Sequence, residues 1–296
     1  MSAATRPLDG GPQLRRRRVV NHAMEAIATF AAFAAVAILA VMVISVAKRG
    51  GGSLSLDFFT KLPHPFSFTP VPSGLANAFV GTAVIVGVAT LMALPIGVLT
   101  AIYLTEFAHR RVAFLIALAL DVLNGVPAIV VGIFVFALVV IHHGQSGLAG
   151  SFALAILMIP LIARATQETL ALVPESTREA SLALGVSRWR TTLSIVLPQT
   201  IGGIVTGTTL AVARVAGETA PLLFTSSLVG DQLHADPRQA LASVPLKIFE
   251  YSESPDPADH RQAWAAALVL IAFILLASTV ARLLAARSRR KLGITR

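Results

Sequence analysis

Apolar positions in this chain neither alternate nor form one narrow stripe; they gather in long, nearly unbroken runs. A run of about 20 apolar residues is what a helix needs to cross the hydrocarbon core of a bilayer. Six runs reach that length, over residues 26–47, 75–104, 112–141, 150–173, 200–226 and 264–286. The third is too long for one straight perpendicular helix. Asn124-Gly125-Val126-Pro127 interrupts it, which predicts a kink or a broken helix there. Pro95, Pro160 and Pro221 sit inside the second, fourth and fifth runs. The first run is 22 residues, longer than the apolar stretch of a secretory signal, and is read as a retained span. The pattern therefore predicts an all-α membrane protein with six transmembrane helices.

Composition agrees: 55% of the 296 residues are hydrophobic and 13% charged, too few charges to cover the surface of a soluble domain. The net charge of +9 raises nucleic-acid binding as an alternative. Position argues against it, because the arginine clusters flank apolar runs and lack interleaved aromatics. Cationic residues instead report topology, since they accumulate in cytoplasmic loops. With both termini in the cytoplasm, 17 of the 24 Lys and Arg residues fall on that side, Arg164 and Arg178 among them, and six on the other. Arg214, within the fifth run, completes the total. The expected topology is N-in, C-in. Residues 1–20 read as a disordered basic tail, and 291–296 as a short cytoplasmic one. The outer loop 48–74, rich in Gly, Pro and Phe, is expected to be irregular.

Residues 174–198, between the fourth and fifth runs, are the most informative loop. Good helix formers from Glu179 to Leu184 precede Gly185, a natural left-handed helix stop. Ser187 is placed to cap a second short helix, with Pro198 ending it before the fifth span. The segment resembles the signature of ATP-binding-cassette importer permeases: Glu179-Ala180-Ser181, then Gly185, then Ile195, Leu197 and Pro198. Ser181 for a second Ala is the single departure. The resemblance implies a type I importer permease whose helix–Gly–helix knob, with Val186 at the turn, docks on a separate ATPase. It extends, in the phosphate-importer branch of that family, to the stretches 211–224, 124–130, 244–249 and 262–267. What it further implies is a bacterial inner-membrane location, a second homologous permease subunit, a dimer of ATP-binding subunits and an outside-facing phosphate-binding protein. ATP and Mg would be used by that partner ATPase, with no cofactor held by this chain.

Charges inside a span are costly, about 2.5–3.5 kcal/mol each at mid-bilayer, so Arg214 and Glu218 call for an explanation. Four residues apart, they share a face of a continuous helix. One reading is an intrahelical ion pair that locks the span. The other puts Arg214 on the translocation path, attracting an oxyanion while Glu218 limits how tightly it is held. Asp121 and Asn124 are placed to face the same cavity, and Asp121 is an alternative partner for Arg214. Another oxyanion, such as molybdate, sulfate or phosphonate, fits the same chemistry.

Enzymatic readings are weaker. Gly144-Gln145-Ser146-Gly147 resembles the serine motif of intramembrane proteases, but the later histidines, His234 and His260, fall in a loop. His142 and His143 lack a third ligand at metal-binding spacing. None of the four lysines stands in a Gly-Lys-Ser/Thr phosphate loop, so the chain carries no nucleotide site of its own.

Overall fold

The computed structural model describes residues 12–63, 73–226 and 232–291. Helices dominate. In chain order they are α1 (Pro12–Gly50), α2 (Leu56–Thr60), α3 (Ala76–Ile102), α4 (Arg110–Gly125), α5 (Ala128–Val135) and α6 (Gly147–Ala171). There follow α7 (Glu175–Ala183), α8 (Arg188–Thr191), α9 (Leu197–Val215), α10 (Ala220–Thr225), α11 (Val244–Ser252) and α12 (Pro257–Lys291). Among the described residues, five helices are long and apolar enough to cross a membrane, and six if the bent pair α4–α5 forms one span. The protein is an all-α membrane protein.

Among the described residues, three π-helical turns extend these helices: Tyr103–Phe107 after α3, Phe136–Val140 after α5, and Thr192–Val196 between α8 and α9. The last corrects one expectation. Pro198 does not separate the second knob helix from the fifth span; Arg188–Val215 runs as one helical rod. Pro198 has no N–H to give, and the π-turn just before it, with the Leu197 N–H reaching back to the Thr192 carbonyl, absorbs the misfit.

The N-terminal expectation also shifts. Residues 12–20 belong to α1 rather than to a disordered tail, whereas 1–11 and 292–296 lie outside the described residues. Arginine is a good helix former, and lengthening an existing helix adds a hydrogen bond per residue without a new nucleation cost. The 48–74 loop is likewise more ordered than expected. Ser55 accepts a hydrogen bond from the Phe58 N–H to start α2, and Phe58 is buried against Leu75 and Ala78. Residues 64–72 of that loop lie outside the described residues.

The core lies where α3 and α6 pack along their length. Ile85, Ala89 and Ala93 meet Leu154, Met158 and Ile162, and α9 closes the third side with Ala211 and Val215. Ser151 ties the pair, donating to the Ile85 carbonyl at 3.0 Å and to Gly147 at 2.7 Å. By contrast, no residue in the most apolar stretch of α1 is buried in the protomer, and the stretch is apolar on every side. Contact is concentrated near its end, where Gly50 lies against the backbone of Trp264 and the Arg49 guanidinium stacks 4.9 Å from the Trp264 ring.

Candidate functional sites: a helical knob and an intramembrane cleft

The knob is built from the end of α6 onward. Helix α7 ends in a Schellman turn: the Gly185 N–H bonds the Leu182 carbonyl at 2.9 Å and the Val186 N–H bonds the Ser181 carbonyl at 3.2 Å. Gly185 takes φ +77°, a left-handed value that a side chain disfavours. Ser187 stands at the cap position of α8, but its backbone carbonyl, not its hydroxyl, accepts from Thr191. Across the turn, the Ser181 and Thr191 hydroxyls share a hydrogen bond at 2.8 Å, both side chains buried. The residue that departs from the family signature thus pins α7 to α8.

Glu179, Ala180 and Leu182 are exposed on the knob, and Leu184 is 84% exposed. Trp189 is also largely exposed, with Arg190 lying 5.7 Å from its ring. The base of the knob is packed. Val196 joins Ala101, Ile102, Leu170 and Val173 in a small core, against which Leu197 rests. Ile195 and Pro198 flank it, half-buried and exposed respectively.

The second site forms where two broken helices meet. Between α4 and α5 the chain bends by 97° at Val126-Pro127. Between α9 and α10 it leaves the helix at Ala216–Thr219, because Pro221 cannot supply an N–H to residue 217 and Gly217 weakens the helix. Gly132 lets α5 approach within contact of Pro221; a Cβ there would lie 2.6 Å from the Pro221 Cα. A cleft of about 50 Å³ results, lined by Asn124, Val126 and Ala128 from the first break and by Arg214, Val215 and Glu218 from the second. Leu157 and Leu161 of α6 form its floor.

This geometry changes the reading of Arg214 and Glu218. They do not share the face of a continuous helix, and no ion pair joins them among the described residues. Asp121 does not pair with Arg214 either. It takes Arg164, whose guanidinium also donates to the Ala117 carbonyl at 3.1 Å and to the Gln167 side chain at 3.2 Å. Arg164 thus sits within α6, inside the fourth apolar run, and makes an interhelical contact. Asn124 does come together with Arg214 and Glu218; Asp121 lies one turn away on α4.

Three residues that the sequence reading passed over carry structure. Arg178, counted there only as a topological cation, makes a buried ion pair with Glu106 at 2.9 Å. Lys247, which lies in the 244–249 stretch of the resemblance and is otherwise one of the six outer cations, is buried at 2% exposure with its Nζ 2.8 Å from Glu250 and 5.7 Å from the Tyr251 ring. Thr191 holds Ser181. Ser146, the candidate protease serine, accepts the Ala149 N–H at 3.2 Å and so caps α6.

Comparison with known proteins assigns the family. The family described as "Binding-protein-dependent transport system inner membrane component" matches residues 93–291. The chain belongs to this family. The phosphate transport system permease protein PstA of Haemophilus influenzae is 42% identical over 241 residues, covering 79% of this chain and 83% of that protein. PstA of Xylella fastidiosa is 38% identical over 282 residues, 93% of this chain and 96% of its own length. Among solved structures, an inward-facing form of the MetNI methionine ABC transporter superposes with a TM-score of 0.53 at 17% identity. It covers 71% of this chain and 94% of the solved one, and shows the shared permease fold. The knob and both helix breaks of this permease fall within the matched residues.

Proposed function

We propose that this permease subunit carries phosphate across the bacterial inner membrane as half of the translocation path of an ATP-driven importer. The observation that carries the substrate reading is Arg214. Its side chain is exposed on the protomer at the end of α9, beside Asn124 and Glu218, in a helix otherwise fit to span a membrane. A cation cannot face hydrocarbon cheaply, so the cleft faces water or a second permease. The first turn of α5 borders the same cleft through Ala128 and adds the positive end of its dipole. Broken helices whose half-helix N-termini meet an anion are a recurrent way to bind a charged substrate in mid-membrane. Glu218 opposes the anion, weakening a site that must release its cargo. Relatives bearing the phosphate-permease name support the choice among oxyanions.

In this reading both termini are cytoplasmic, which puts the knob there too. A dimer of ATP-binding subunits docks on Glu179, Ala180, Gly185 and Val186, covering Leu184 and Trp189, while Ser181, expected at that surface, is buried beneath it and holds α7 to α8. ATP and Mg belong to those subunits. Ile195, Leu197 and Pro198 carry the motion into the Arg188–Val215 rod. A second homologous permease completes the path, and a phosphate-binding protein delivers substrate from outside.

The direct test is radiolabelled uptake in a strain deleted for its phosphate importer, comparing phosphate, sulfate and molybdate. Restored phosphate uptake is expected. Restoration of sulfate or molybdate alone would overturn the substrate assignment and leave the permease assignment standing.

A further inference from the structure

The knob has two roots, and only one is covalently straight. On the α8 side, the rod Arg188–Val215 leads directly into the fifth span. On the α7 side, the chain leaves α6 through a short turn at Leu172–Pro174, a flexible joint if nothing else held it. Arg178 spans that joint. Its Nε lies 3.2 and 3.3 Å from the two Glu106 oxygens, and its Nη2 lies 2.9 Å from Glu106 Oε1. Nη2 also donates to the Leu170 carbonyl at 3.0 Å, and Nη1 to the Val173 carbonyl at 2.7 Å and Glu175 at 3.4 Å. One guanidinium thus joins α7, the last turn of α6, and the π-turn that ends α3.

The pair is enclosed, with 13% of the Arg178 side chain and 8% of the Glu106 side chain exposed. A buried ion pair adds little net stability over apolar residues of the same size, because desolvation offsets attraction. What the planar guanidinium does contribute is direction: its forked donors fix angle as well as distance. Glu106 is presented by a π-turn, an irregularity often found at functional positions.

We propose that Arg178, acting through Glu106, is a positioning residue for coupling. It locks α7 to the ends of α3 and α6, so displacement of the knob is delivered to the α3–α6 pair as well as to the fifth span. This inference rests on the docking of an ATPase at the knob. It assigns to spans two and four a share of the stroke that the helix–Gly–helix motif alone does not give them.

The test uses the whole transporter in proteoliposomes, with binding protein, measuring phosphate taken up per ATP hydrolysed. The chain has no cysteine, so Val186→Cys provides a unique cross-linking handle on the knob. In Arg178→Gln, the cross-link to the ATPase is expected to persist while uptake per ATP falls about tenfold, the scale of a typical coupling energy between sites. Glu106→Gln should show the same uncoupling, and the double variant should be no worse than Arg178→Gln, because both act on one contact. Should Arg178→Gln fail to assemble, Arg178→Lys carries the test. It keeps the charge but loses the fork, and a lowered ratio is expected. An unchanged ratio in an assembled Arg178→Gln or Arg178→Lys complex would overturn the inference. Failure of Val186→Cys to capture the ATPase in the otherwise unaltered complex would overturn the docking reading itself, and the strut with it.

Discussion

At the scale of single residues, the deciding contrast is between two arginines of opposite circumstance. Arg178 has its donors engaged in an enclosed site, whereas Arg214 stands exposed in a cleft with Glu218 nearby but unpaired to it. On the proposed function, the first holds position and the second meets the incoming anion. Replacing Arg214 with Ala should therefore leave the complex assembled while phosphate uptake drops roughly ten- to a hundredfold, the range of one charge-assisted hydrogen bond. Normal uptake by an assembled variant would remove Arg214 from the path. Ser181 offers a quieter test. Losing its bond to Thr191 should cost about 1 kcal/mol, and Thr191→Ala combined with Ser181→Ala should cost clearly less than the two added. Additive losses in thermal unfolding of the complex would deny that the two hydroxyls act as a pair.

Among elements, the informative ones are those that break. The Asn124-Gly125-Val126-Pro127 interruption was legible because Gly and Pro declare it locally. The fifth run was harder. Its apolar pattern continues through Gly217 and Pro221, so periodicity extends a helix that the backbone abandons after Val215. Pairing Arg214 with Glu218 at helical spacing failed for that reason, since the spacing counts only while the helix lasts. The opposite error occurred at Pro198, which reads as a stop but is bridged by a π-turn. In the knob, Gly185 was legible because its left-handed φ is a local demand. Gly185→Ala should raise the energy of the turn by about 1–2 kcal/mol. Hydrogen exchange at the Gly185 and Val186 amides should accelerate roughly five- to thirtyfold in response. Unaltered exchange there would mean the turn does not depend on its glycine.

For the whole molecule, the lack of cysteine makes orientation directly measurable. Single cysteines at Ser187 on the knob and Ser252 at the end of α11, both exposed, should behave oppositely toward a membrane-impermeant maleimide. Ser252→Cys should label in intact cells, and Ser187→Cys only after permeabilisation. Labelling of Ser187→Cys from outside would invert the topology and remove the knob from any ATPase. The bias in Lys and Arg remains the argument for the expected result, although Arg164, Arg178 and Lys247 prove to be engaged in internal contacts.

Membrane class, the helix–Gly–helix knob and the break before Pro127 were determined by sequence alone. Each follows from short-range chemistry: run length against bilayer thickness, and the backbone limits of Gly and Pro. Which charges meet was decided only by tertiary structure. Glu106 and Arg178 are 72 residues apart, Asp121 and Arg164 are 43 apart, and both pairs exist because helix packing brings their ends together. No local pattern distinguishes a cation that anchors a loop from one that crosses to a neighbouring helix. The difference lies in where the rods cross, which is set by side chains far from either charge.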